Sequence, residues 1–123
     1  MRSRILRLLF FERVLMEISK KDWKLFQERL PDWQEKYMEK LEEEYVKLLQ
    51  DPKKLPSEKF WALKKRINAD RKNPGVSLRL EKSETFYNIL YLLQLGAITM
   101  KDLDGFSEEL INKVEEQRNS KFY

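Results

Sequence analysis

The chain has no histidine and no cysteine among its 123 residues. Those absences remove the commonest general base, the commonest thiol nucleophile and nearly every transition-metal ligand set. They also remove any disulfide framework, which fits a reducing interior and makes a cytoplasmic setting the expectation. Glycine is scarce as well: Gly75, Gly96 and Gly105 are the only three. Barrels and sandwiches need many tight turns, so this scarcity points away from them. No apolar run approaches the roughly 20 residues that a membrane span requires, so a membrane partner is not expected. Glycine-rich phosphate loops and the G-x-S-x-G elbow are missing too.

What is present suits helices. Hydrophobic residues make up 41% and aromatic residues 12%, enough for one modest core despite a charged fraction of 37%. The net charge of +4 is unevenly spread. Residues 51–82 hold ten Lys and Arg against four Asp and Glu, whereas residues 83–123 hold four against seven. The middle third is therefore basic and the final third acidic.

The start of the chain, Ile5-Leu6-Arg7-Leu8-Leu9-Phe10-Phe11 after Arg2 and Arg4, is broken by Arg7, Glu12 and Arg13, unlike a signal peptide. Two readings remain for residues 1–16. They form a basic amphipathic helix that packs on the domain or touches a membrane surface, or they are an extension upstream of a domain that begins near Met16. The domain itself is expected over 17–118, with a tail at 119–123.

Helix starts and stops divide that domain. Ser19 reads as an N-cap with Asp22 as its reciprocal carboxylate, and Trp23, Phe26 and Leu30 follow at helical spacing. Pro31 is expected to end or kink this helix, and Asp32 to restart it. Trp33, Tyr37, Leu41, Tyr45, Leu48 and Leu49 continue as a long stripe, flanked by alternating Glu and Lys. Pro52 and Pro56 make residues 51–56 a linker. Ser57 is expected to cap a second helix with Phe60, Leu63 and Ile67 as its core stripe, running to about Lys72. After the turn Asn73-Pro74-Gly75, alternation of Val76, Leu78 and Leu80 suggests a strand by period. A lone strand lacks a partner, so an extended connection or an early helix start is favoured. A strongly apolar central helix then runs from Ser83 with Phe86, Tyr87, Leu90 and Leu93, stopped by Gly96. Thr99 with Asp102 caps a short turn ended by Gly105. Ser107 caps the last helix, which carries Leu110, Ile111 and Val114 inward. The expected fold is all-α: a compact single-domain bundle of four to five helices, with a helical extension at its N-terminus as an option.

Residues that could carry chemistry are few. Glu42, Glu43 and Glu44 diverge by roughly 100° each on a helix and cannot converge on a metal. Ser19 with Lys20 and Ser57 with Lys59 are better explained by capping than by nucleophilic catalysis. The expectation is a protein that is not an enzyme and needs no cofactor and no metal. The second helix offers more. Trp61 lies away from the expected core stripe, beside Lys65, Asn68 and Lys72, where it can stack on a base or fill a partner's pocket. Lys53, Lys54, Arg66, Arg71 and Arg79 extend the positive field, and these nine residues are the candidate partner-binding set. The competing reading has Trp61 covering an edge against another helix. Trp23, Phe26, Trp33 and Tyr37 bracket Pro31; both tryptophans could line a groove, but their spacing fits helix-face packing, and they are expected to be core. Residues 97–114 have the outline of a helix-turn-helix, but Glu108 and Glu109 would face phosphate, so that segment is read as structural.

Five stretches, Ile18 to Phe26, Leu30 to Met38, Ser57 to Trp61, Asn73 to Val76, and Ile98 to Leu103 with Phe106 and Ser107, together resemble a group of small uncharacterised helical proteins of Gram-positive bacteria. These proteins are often encoded on plasmids and conjugative elements. The similarity spans about residues 16–114. No activity attaches to the group, so no residue inherits a role. The resemblance implies a mobile-element accessory protein, a class that includes anti-CRISPR and other inhibitors of host defence. The leading expectation is a non-catalytic protein-binding or inhibitory module acting on a protein or nucleoprotein partner. The alternative is direct nucleic-acid binding by the basic middle third.

Overall fold

The computed structural model describes residues 17–119, so the expectations for residues 1–16 and for most of the tail fall outside the described residues. Within them the protein is all-α. Helix α1 spans Lys20–Leu49 and α2 spans Pro56–Asp70; after a 3-10 turn at Lys82–Glu84 come α3 at Thr85–Gln94, a second 3-10 turn at Met100–Leu103, and α4 at Glu108–Arg118.

Helix α1 is continuous through Pro31, against the expected break. The reason is placement. Pro31 cannot donate to the carbonyl four residues back, but Pro31 and Gln27 are both on the exposed side, where solvent can satisfy that carbonyl. Opposite them, Phe26, Leu30 and Trp33 are buried against Phe86, Ile89, Leu92, Leu103, Phe106, Leu110 and Val114 of the later elements. The rings of Phe26 and Trp33 meet edge-on at 6.1 Å, and Trp33 lies 6.3 Å from Phe106, so the expected aromatic group is largely core.

Asp22 ties the two ends of this core together. Ser19 caps α1 as expected, its Oγ accepting from the Asp22 amide at 3.1 Å. The Asp22 carboxylate, however, reaches across the fold instead of back to Ser19. It accepts from the Ser107 amide at 2.9 Å and from Ser107 Oγ at 2.5 Å, at 2% exposure. Ser107 Oγ in turn accepts from the Leu110 amide and caps α4. One buried carboxylate thus fixes the start of the last helix on the start of the first.

The remaining turns follow their side chains. Asp102 accepts from the Thr99 amide at 2.8 Å, and Gly96 (φ 74°) and Gly105 (φ 98°) take the left-handed conformation that glycine adopts without strain. Arg29 donates to the Asp102 carbonyl at 2.8 Å and lies over the Phe106 ring. Residues 77–81 are an extended connection, and no strand forms among the described residues. Gly75 is needed for a different reason: a Cβ there would lie 2.4 Å from the Tyr37 ring, which sits directly on it.

Helix α2 departs most from expectation. It begins at Pro56 with Leu55 as N-cap, and Glu58 accepts from the Leu55 amide at 3.0 Å, so Ser57 is not the cap. Proline fits at N1 because its missing donor would go unused there. The expected core stripe of Phe60, Leu63 and Ile67 is not core: no residue of α2 is buried.

Two substitutions test this description. Asp22→Ala leaves the Ser107 amide and hydroxyl without their buried acceptor, and should cost about 2 kcal/mol of stability. That corresponds to a melting temperature lower by roughly 8–16 °C in a domain of this size. Gly75→Ala should cost about 1–3 kcal/mol through overpacking against Tyr37. Chemical denaturation of each variant measures both, and wild-type midpoints would contradict the packing described.

Candidate interaction surface on the helical hairpin

Helices α1 and α2 form an antiparallel hairpin. Gln34 donates to the Pro74 carbonyl at 3.1 Å and Tyr37 Oη accepts from Asn73, while Glu44 and Tyr45 meet Arg66 and Asp70 farther along. Partners later in α2 lie earlier in α1, which brings the start of α2 back beside the end of α1. The hairpin therefore leaves the core at about Leu41, the last buried residue of α1.

The described cross-hairpin hydrogen bonds and ion pairs centre on one polar knot. Arg66 donates to Glu44 Oε2 at 3.0 Å and pairs with Asp70 at 3.0 Å, its guanidinium resting over the Tyr45 ring. Burial disfavours the Arg66 cation, but Asp70 and Glu44 outweigh that and hold its pKa above the ordinary value. Tyr45 Oη donates to Asp70 Oδ2 at 2.6 Å. Burial, and then this bond to a carboxylate, push the Tyr45 hydroxyl up to about 12.

The candidate residues divide around this knot. Trp61 is 60% exposed, Lys65 and Asn68 are exposed on the same outer face of α2, and Lys72 is exposed in the turn just beyond its C-cap. Among the described residues no other helix covers Trp61, and the N-terminal segment that the edge-covering reading named lies outside them. The Trp61 ring meets Phe60 edge-on at 5.1 Å and carries the Lys64 ammonium at 5.2 Å. Lys53 and Lys54 are exposed in the turn at the free end, and Arg71 is exposed at the C-cap of α2. Arg66 is not a free part of the positive field, because Glu44 and Asp70 already hold it. Arg79 sits on the extended connection and pairs with Glu81 at 3.2 Å.

Apolar residues join the surface, Phe60 and Ile67 of the expected core stripe among them. Phe60 is 63% exposed and Ile67 43%, and Val46, Leu49 and Leu55 are exposed with them. Adjacent Phe60 and Trp61 project about 100° apart, so one buried stripe could not have held both. That adjacency was the available sign that α2 presents aromatic surface outward. Between the helices, Met38, Leu41, Glu42, Tyr45, Ile67, Asp70, Arg71 and Val76 line a groove of about 230 Å³. Among the described residues no group of three or more acidic side chains is arranged to hold a metal ion, and no helix is long and apolar enough to cross a membrane.

Comparison with family models, with curated proteins and with solved structures returns no match to this chain. The surface is therefore read from its own geometry.

The Tyr45–Asp70 bond has an alkaline signature. Folding favours the neutral phenol, so its contribution is complete below the ordinary tyrosine pKa of about 10. It is lost as the pH rises through about 12. The wild-type chain should lose stability across that window more steeply than Tyr45→Phe. Denaturation curves that stay parallel from neutral to alkaline pH would show that the bond contributes nothing.

Proposed function

We propose that this chain is a non-catalytic protein-binding module whose working surface is the hairpin, above all α2. The observation that carries this reading is the exposure of Phe60 and Trp61, two touching aromatic rings on a helix that buries none of its residues. Large exposed apolar clusters rimmed by charge mark interaction sites, and tryptophan is among the residues that most often dominate binding energy. The lysines around them add a positive field that speeds encounter with an acidic partner. Binding without chemistry would act by occlusion. That fits the inhibitory role, at a host nucleoprotein or defence complex, that the resemblance to mobile-element proteins implies.

A second reading has one specific observation in its favour: Lys65 and Asn68 accompany Trp61 on the outer face of α2, with Lys72 just beyond its C-cap, as in a stacking site for a single-stranded base. Salt separates the two, because phosphate contacts weaken steeply with ionic strength.

The test is a peptide-display selection with the full chain as bait, run beside anisotropy titrations with labelled single-stranded and duplex DNA and structured RNA. Selected peptides should lose at least tenfold in affinity on Phe60→Ala, in keeping with about 2 kcal/mol for an interface anchor. Failure to enrich any peptide, together with nucleic-acid binding that survives physiological salt and is lost in Lys65→Glu with Lys72→Glu, would replace protein binding by the second reading.

A further inference from the structure

We infer that among the described residues the hairpin is a three-helix bundle lacking its third helix, and that the missing member is an amphipathic helix of a partner protein, acidic along one edge and basic along the other. This rests on the protein-binding reading but places the contact in the groove between α1 and α2, not on the outer Trp61 face.

Ile67 and Arg71 of α2 face Met38, Glu42 and Tyr45 of α1 across the groove, while Arg66 and Glu44 close the opposite side of the hairpin with Tyr37 and Leu95. At roughly 100° per residue, Phe60 shares the Ile67 side of α2. By the same spacing Leu49 shares the Met38 side of α1. An apolar strip thus runs along both helices on one side only, and Phe60, Leu49 and Ile67 on it are exposed. From Met38 to Leu49 it is about 16 Å long, or three helical turns. The volume of about 230 Å³ is smaller than the ~300 Å³ at which small-molecule sites begin, so it suits anchoring side chains from a helix laid along it.

Charge selects the occupant. The α1 edge of the strip carries Glu35, Glu39 and Glu42, spaced to share one exposed flank, and the α2 edge carries Lys64 and Arg71, also exposed. A docked helix therefore meets carboxylates on one side and cations on the other. A duplex or single strand of nucleic acid would be repelled by Glu35, Glu39 and Glu42, and a uniformly charged helix by one of the two edges.

The experiment uses the full chain and three labelled helical peptides with the same leucine stripe: Glu on one edge and Lys on the other, Glu on both, and Lys on both. The mixed-edge peptide should bind at least tenfold more tightly than either uniform one. Ile67→Glu should abolish that binding, whereas Trp61→Ala should leave it within twofold. Lys64→Glu with Arg71→Glu makes both edges acidic and should shift the preference to the all-Lys peptide, a gain that a misfolded variant would not show. Equal binding of the three peptides, no binding of any, or loss on Trp61→Ala with Ile67→Glu neutral would overturn it. The last result would leave the protein-binding reading intact and move its site to the outer face. Sedimentation of the free chain as a dimer that Ile67→Glu dissociates would also overturn it, by making a second copy the occupant.

Discussion

A helix of 30 residues is about 45 Å long, and the later elements cover only part of it. Core side chains on α1 run from Phe26 to Trp33, and Leu41 is the last buried position. Everything distinctive about the protein follows from that mismatch. The first part of α1 belongs to a packed core that Asp22 and Ser107 close. Among the described residues the second part packs mainly on α2, and α2 mainly on α1. Their contact includes the Arg66, Glu44, Asp70 and Tyr45 group, and Val46, Leu49, Phe60 and Ile67 of the hairpin remain in solvent.

Much of the core was legible because capping chemistry and spacing are local properties. Ser19, Thr99 with Asp102, and Ser107 marked their helices or turns correctly, and Gly96 and Gly105 marked the stops. The apolar character of α3 placed it centrally. Pro31 was misread because a proline breaks a helix only where its lost bond matters, and here it falls on the solvent side. Ser57 was misread because Pro56, fit for the first helical position, moved the cap back to Leu55. The misreading of Phe60, Leu63 and Ile67 is the instructive one. Period shows that side chains share a face; it does not show that anything covers that face. Asp22 shows the converse limit, since a tertiary partner 85 residues away leaves no trace in local pattern.

For the interaction surface, the sequence located the basic helix and the exposed Trp61 but placed Arg66 in the free positive field, where the structure spends its charge inside the hairpin. It also kept Phe60 and Ile67 out of the surface they dominate. The two faces of α2 are thus chemically distinct. The outer face is a tryptophan among amines, and the inner flank is an aliphatic and aromatic strip between opposite charges. A partner helix on that strip would supply the burial that the hairpin lacks, which couples binding to the stability of α2.

Hydrogen exchange on the free chain tests the central claim, that α2 buries none of its residues, most directly. Local stability follows buried apolar contact, so the amides of α2 should exchange far faster than those of α1 around Phe26 to Trp33 and of α3. Protection in α2 equal to that of the core would contradict the account, because it would mean that α2 is already covered.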